Sequence, residues 1–180
     1  MASPARHKPA QVYLRPTLHA DIPRLFEIQL DPAGNDLAGT KPRDLAAFTA
    51  RWDDILGTPT SPPKPTGVTP RVIIADGVLV GSINIFPSNA PDFPEDGAVP
   101  NYLGYWLARE HWSRGIATRA IALMLEESSI RPLFARVISH NAASLKALTR
   151  NGFEVVSRTT RPATDRYAGG EVYTLRAMPR

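Results

Sequence analysis

Short apolar runs and two-residue alternations of apolar and polar positions recur along this chain. They predict strands at 12–14, 72–75, 78–86, 102–107, 134–138, 153–159 and 172–176. Between them the spacing changes to that of helices. Leu25 and Ile28, with Phe26 beside them, give a helix over 22–30 that Thr17 or Asp21 would cap. Leu45, Phe48, Trp52, Ile55 and Leu56 give a second, with Pro42 at its start. Ala117, Ala120, Ile121 and Met124 share one face of a third that begins at Gly115. A fourth runs from Asn141 to Asn151 and ends at Gly152, a residue suited to a left-handed cap.

The breaks are set by composition. Asp31 to Asp36 holds Pro, Gly and Asn and reads as a break. Gly57 to Pro70 carries Pro59, Pro62, Pro63, Pro65 and Pro70, too many for helix or central strand. Pro87 to Pro100 and Arg161 to Gly170 are further loops, and Asp76-Gly77 is a tight turn between two strands. The predicted order is one strand, two helices, three strands, a helix, a strand, a helix and two strands. That is an α/β chain with one mixed sheet flanked by helices. Residues 1–10 read as a tail and 11–180 as a single domain.

Composition then narrows the function classes. Hydrophobic residues make up 43% of the 180 and charged residues 21%, the balance of a soluble globular protein. No apolar run approaches the roughly 18 residues that span a bilayer, so no membrane partner is expected. The first ten residues lack the apolar segment of a secretory signal. There is no cysteine, which excludes disulfides, thiolate metal sites and a cysteine nucleophile and fits a cytoplasmic location. His7, His19, His111 and His140 are dispersed without the paired spacing of zinc ligands, so no metal is expected. Nothing reads Gly-x-Ser-x-Gly. The net charge of +4 rests on arginine, with lysine only at Lys8, Lys41, Lys64 and Lys146. Those arginines form no dense stripe with interleaved aromatics, which argues against a nucleic-acid partner.

The most chemically telling stretch is Asn101 to Thr118: a strand, a short basic turn, and a helix opening on Gly115. Glycine there lets a ligand approach the backbone. The first helical amides have no internal partner, and the positive end of the dipole adds to their pull on an anion. Arg109 and Arg114 flank the turn. The pattern proposes a phosphate-bearing ligand at residues 114–118.

Leu103-Gly-Tyr-Trp-Leu107, Trp112-Ser-Arg-Gly-Ile-Ala-Thr118, and Asn141-Ala-Ala-Ser144 followed by Asn151-Gly-Phe153 together resemble the GNAT acetyltransferase superfamily, closest to its RimJ/RimL-type, ribosomal-protein-modifying branch. The resemblance covers roughly residues 11–177, with its motifs between 103 and 153. It implies a mostly antiparallel twisted sheet and an N-acetyltransferase that moves acetyl from acetyl-CoA to a primary amine by direct attack in a ternary complex. The implied coenzyme-binding residues are Leu107, Arg109, Arg114, Gly115, Ile116, Ala117, Thr118, Asn141 and Ser144. The strand Tyr102–Leu107 is expected to splay from Phe134–Ile138 and admit the pantetheine arm. Many members carry a Tyr general acid seven residues after the Asn; here that position is Leu148, and Ser144 inherits the role. Relatives often place a Glu where this chain has Tyr102, so the general base is open. Glu95 and Asp96 are candidates, and His111 a weaker one. The acceptor, a small amine or a peptide, is expected against 31–40, 88–100 and 161–170. The chain is expected as monomer or homodimer. The alternative is a non-catalytic acyl-CoA-binding or sensor module.

Overall fold

The computed structural model describes residues 10–88 and 99–177. Seven strands form one sheet: β1 (Val12–Pro16), β2 (Thr69–Ala75), β3 (Val78–Pro87), β4 (Asn101–Leu107), β5 (Leu133–Ile138), β6 (Phe153–Arg161) and β7 (Gly170–Ala177). They lie in the order β1-β2-β3-β4-β5-β7-β6, antiparallel throughout except for β4 and β5, which run parallel. A parallel neighbour needs a crossover, and it is supplied by α4 (Ile116–Glu127). The remaining helices are α1 (Ile22–Gln29), α2 (Pro32–Ala38), α3 (Leu45–Leu56) and α5 (Ala142–Thr149).

The two-residue period of the strands sends alternate side chains into two cores. Ile73 and Ala75 of β2 join the core under α4 and α5, which includes Ile116, Ala120, Ile121, Met124 and Leu148. Val72 and Ile74 face the other way and pack with Ile22, Leu25 and Ile28 of α1 and Phe48 and Trp52 of α3. Asp76 and Gly77 both have positive φ (51° and 82°), the geometry of the tight hairpin turn that joins β2 to β3.

Two expectations need correction. The segment read as a break at Asp31–Asp36 is helical: α2 starts at Pro32, with Asp31 as its cap accepting from the Ala33 and Gly34 amides. Asp-Pro is a cap followed by a first helical residue that lacks an N–H, a start signal that the surrounding Gly and Asn obscured. The next helix begins at Leu45 and not at Pro42, because Asp44 takes the cap by accepting from Ala47 N at 2.7 Å.

Candidate active site

β4 and β5 are paired at only two registers, Asn101 with Leu133 and Tyr102 with Phe134. Beyond Tyr102 the strands diverge toward their C-terminal ends. The opening is part of a cavity of about 490 Å3, lined by Leu103–Leu107 on one side and Ala135–Ile138 on the other. The β4–α4 turn lines its mouth, α5 contributes Asn141, Ser144 and Lys146, and α2 contributes Gly34 and Leu37.

At that mouth Ser113 and Gly115 both adopt left-handed backbone (φ 59° and 74°) on either side of Arg114. A Cβ built on Gly115 meets no atom within 4 Å. The glycine is therefore required by its φ and not by crowding, and it leaves its approach open. The helical ladder of α4 opens with Arg119 N–H donating to Gly115 O. The amides of Ile116, Ala117 and Thr118 precede it and have no helical acceptor. Turn and helix end thus gather N–H groups and a positive dipole end at the cavity, the requirements of a phosphate seat.

Of the expected coenzyme set, Leu107, Gly115, Ile116, Ala117, Thr118, Asn141 and Ser144 line this one cavity, whereas Arg109 and Arg114 do not. Arg109 is 65% exposed with Asp31 3.9 Å away. Arg114 donates to Asp76 Oδ2 at 2.7 Å and lies 3.2 Å from His111 Nδ1. The cations that line the cavity are instead Arg136 of β5, Lys146 of α5 and Arg150 at the C-terminal cap of that helix, none of which the motif-based reading singles out. For Lys146 and Arg150 the available signal is a spacing of four, one face of a helix.

Trp112 folds its indole back to donate to Leu107 O at 3.0 Å, closing the turn onto the end of β4. Trp106 points to the other face, where its indole donates to Ile28 O and its ring lies 3.1 Å from a Cβ built on Gly34. It fixes α1 and α2 over the cavity.

Asn141 caps α5 by accepting from Ser144 N at 2.9 Å, and its amide donates to Leu37 O at 2.6 Å. It thereby ties α5 to α2 across the cavity. Ser144 Oγ accepts from the Tyr105 hydroxyl at 2.9 Å. Burial pushes the Tyr105 phenol above its ordinary value, an effect the Ser144 hydrogen bond partly offsets.

The base candidates Glu95 and Asp96 lie outside the described residues. His111 sits in the turn before Gly115 and faces Arg114, at the mouth with the phosphate seat and not beside Ser144. Among the described residues no cluster of three or more metal-ligating side chains occurs. No helix among them is long and apolar enough to cross a membrane.

On the far side of α2, Thr40 bridges to Tyr167, and Lys41 N and Ala168 N donate to Arg166 O and Gly39 O. Arg161 donates to Gly39 O and Ala168 O and stacks on Tyr167. The segment after α2 and the 161–170 loop form one wall.

The acetyltransferase (GNAT) domain model matches residues 11–154. No curated protein sequence matches the chain. Among solved structures, aminoglycoside acetyltransferase AAC(6')-Ib in complex with coenzyme A is 17% identical, with a TM-score of 0.71 over 93% of this chain and 95% of that one. Ribosomal-protein-alanine N-acetyltransferase from Brucella melitensis is 20% identical, with a TM-score of 0.70 over 91% and 98%. Mycobacterium smegmatis RimJ in complex with CoA-disulfide is 21% identical, with a TM-score of 0.63 over 92% and 82%. At these identities the likeness speaks for the fold.

Proposed function

The chain belongs to the GNAT acetyltransferase family, and from that premise we propose how its residues divide the work of an acetyl-CoA-dependent N-acetyltransferase. The amides of Ile116, Ala117 and Thr118, with Gly115 beside them, hold the coenzyme's diphosphate at the mouth of the β4–β5 opening. Each charge-assisted hydrogen bond there contributes about 1.5–3 kcal/mol. Lys146 and Arg150 add positive charge along the same wall. The pantetheine arm lies between β4 and β5. Leu107 contributes backbone to that channel, and Asn141 holds α5 against α2 at its edge. Arg109 and Arg114 act at longer range, screened by their exposure.

Acetyl-CoA supplies the activated acetyl group as a thioester. A neutral amine forms the new C–N bond, the C–S bond breaks with its electron pair going to sulfur, and the amine's surplus proton balances the thiolate. Ser144 donates a hydrogen bond to sulfur as charge develops there. Holding amine and thioester together supplies a large part of the acceleration, about 7–11 kcal/mol in well-oriented cases. The proton leaves the incoming amine through water or through a carboxylate of the 88–100 segment, Glu95 or Asp96.

The acceptor enters from the α2 and 161–170 side. That rim is basic: Lys41, Arg43, Arg161 and Arg166 form no ion pair with a carboxylate among the described residues. Burial pushes the Arg43 and Arg166 guanidinium groups below their ordinary range; Arg51 adds to this at Arg43, and Arg43 at Arg166. A rim that repels further positive charge favours an amine carrying an acidic group, such as a peptide N-terminus followed by acidic residues, over a polyamine.

The observation that carries this reading is the limited β4–β5 pairing with Gly115 at its open end. Free-thiol release from acetyl-CoA across a panel of acidic peptides, spermine and kanamycin tests it. Turnover with acidic peptides above spermine is the expected result. Coenzyme A binding without turnover on any amine would leave a sensor module, and turnover greatest on spermine would overturn the acceptor assignment.

A further inference from the structure

The position seven residues after Asn141 is Leu148, only 1% exposed in the core. That helix therefore offers no phenol to the cavity. A phenol arrives from the sheet instead. Along β4, Leu103, Tyr105 and Leu107 alternate onto the face that packs under α4 and α5. Tyr105 lies two residues before the end of the strand, about 7 Å deeper than the phosphate seat's end of β4. Its hydroxyl donates to Ser144 Oγ at 2.9 Å, and both residues line the cavity.

The geometry points to Tyr105 as the positioning residue that aims the Ser144 hydroxyl at the coenzyme's sulfur; this rests on the assignment of Ser144 given above. A serine hydroxyl has one proton and two lone pairs. The phenol is the more acidic of the two groups and takes the donor part. With one lone pair occupied by Tyr105, the serine proton is directed away from the phenol and is left for a sulfur in the cavity that both residues line. The backbone of Ser144 is held at the same time by the Asn141 cap. Its side chain then has both its origin and its direction fixed before any ligand enters. Donation from Tyr105 also polarises the serine O–H, which strengthens what it offers to a developing thiolate. Tyr105 keeps its own proton throughout, as its raised value demands.

Coenzyme A itself is the probe. Its thiol, bound to the full chain, is titrated by ultraviolet thiolate absorbance in the wild type, Tyr105→Phe, Ser144→Ala and the double variant. Ser144→Ala is expected to move the ionisation of the bound thiol to higher pH. Tyr105→Phe should move it the same way by about half to one pH unit, the worth of one net hydrogen bond. The double variant should match Ser144→Ala alone, because the phenol acts only through the serine. Calorimetric affinity for coenzyme A and the melting temperature should be near wild type in Tyr105→Phe, which separates aim from packing. If Ser144→Ala shifts the titration and Tyr105→Phe does not, or if the two shifts add, the role of Tyr105 is overturned and Ser144 stands. If Ser144→Ala itself titrates as wild type, the serine assignment falls and takes the phenol with it.

Discussion

On the coenzyme side of the cavity, recognition is assigned to backbone: one left-handed glycine, three helix-start amides and a strand edge left unpaired by divergence. On the proposed acceptor side the wall is made by side chains and long-range ties. Asn141 reaches Leu37, Arg161 reaches Gly39 and Ala168, Lys41 reaches Thr164, and Arg166 reaches Lys41 O. A backbone site is fixed by a few local residues and tolerates change elsewhere. A side-chain wall can be rebuilt without disturbing the sheet. The contrast teaches why one scaffold keeps its cosubstrate while its amine partner varies, and four variants press on it.

The largest effect is expected at Gly115. A Cβ added at Gly115 meets no atom within 4 Å, so the main cost of Gly115→Val to the fold is the left-handed φ, about 1–2 kcal/mol. Its cost to the coenzyme includes the diphosphate approach. Loss of one charge-assisted hydrogen bond should raise the coenzyme A Kd about 10- to 150-fold by calorimetry. Unchanged affinity would remove the phosphate seat. Next comes the pair Lys146→Ala with Arg150→Ala. Both side chains are exposed, so their joint loss should weaken coenzyme binding about three- to tenfold, with less of a loss as salt is raised.

The same contrast explains what was legible in the sequence. Gly115 before an amphipathic helix, and Asn141 three residues ahead of Ser144, are local patterns that carry their geometry with them. The mostly antiparallel sheet and the β4–β5 divergence follow from recognising three such motifs in sequence, not from composition, whereas the order of strands across the sheet is seen only in the structure. By contrast, α2 was misread because Gly34 and Asn35 weigh against a helix, while its start signal is only Asp31-Pro32. Its reason to fold is tertiary: Trp106 against Gly34 and the Asn141 tie to Leu37. Tyr105 was visible as a large residue beside a glycine, yet its hydroxyl contact spans 39 residues, a separation no local pattern reports. Arg114 looked like a phosphate ligand by position. Its partner Asp76 comes from a hairpin turn 38 residues away.

A smaller effect, on the other side of the contrast, is expected from Asp31→Ala. It removes the two cap bonds of α2, worth about 0.5–2 kcal/mol. Hydrogen exchange should quicken at Ala33 and Gly34. The KM for the amine should rise about three- to tenfold, following that loss of order, while the coenzyme A Kd is unchanged. An equal loss of coenzyme affinity would mean that α2 serves both partners, and the division into two sides would fail.

The smallest effect is expected at Asp76, and it decides whether Arg114 belongs to the phosphate seat. The Asp76 carboxyl is held below its ordinary value, first by the Gln11 amide and then by the Arg114 guanidinium. A depressed carboxylate favours the folded arrangement above its unfolded value and loses that contribution only as pH falls through the lower, folded one. Through the neutral range Asp76 is therefore ionised and Arg114 stays engaged with it. Coenzyme affinity should show no step from this pair between about pH 6 and 8. Asp76→Asn at neutral pH removes the charge that competes for Arg114. Because both groups are exposed and screened, the coenzyme A Kd should change by less than about fivefold, and in the direction of tighter binding. A large tightening would show that Arg114 turns to the diphosphate once released, making the seat part backbone and part side chain.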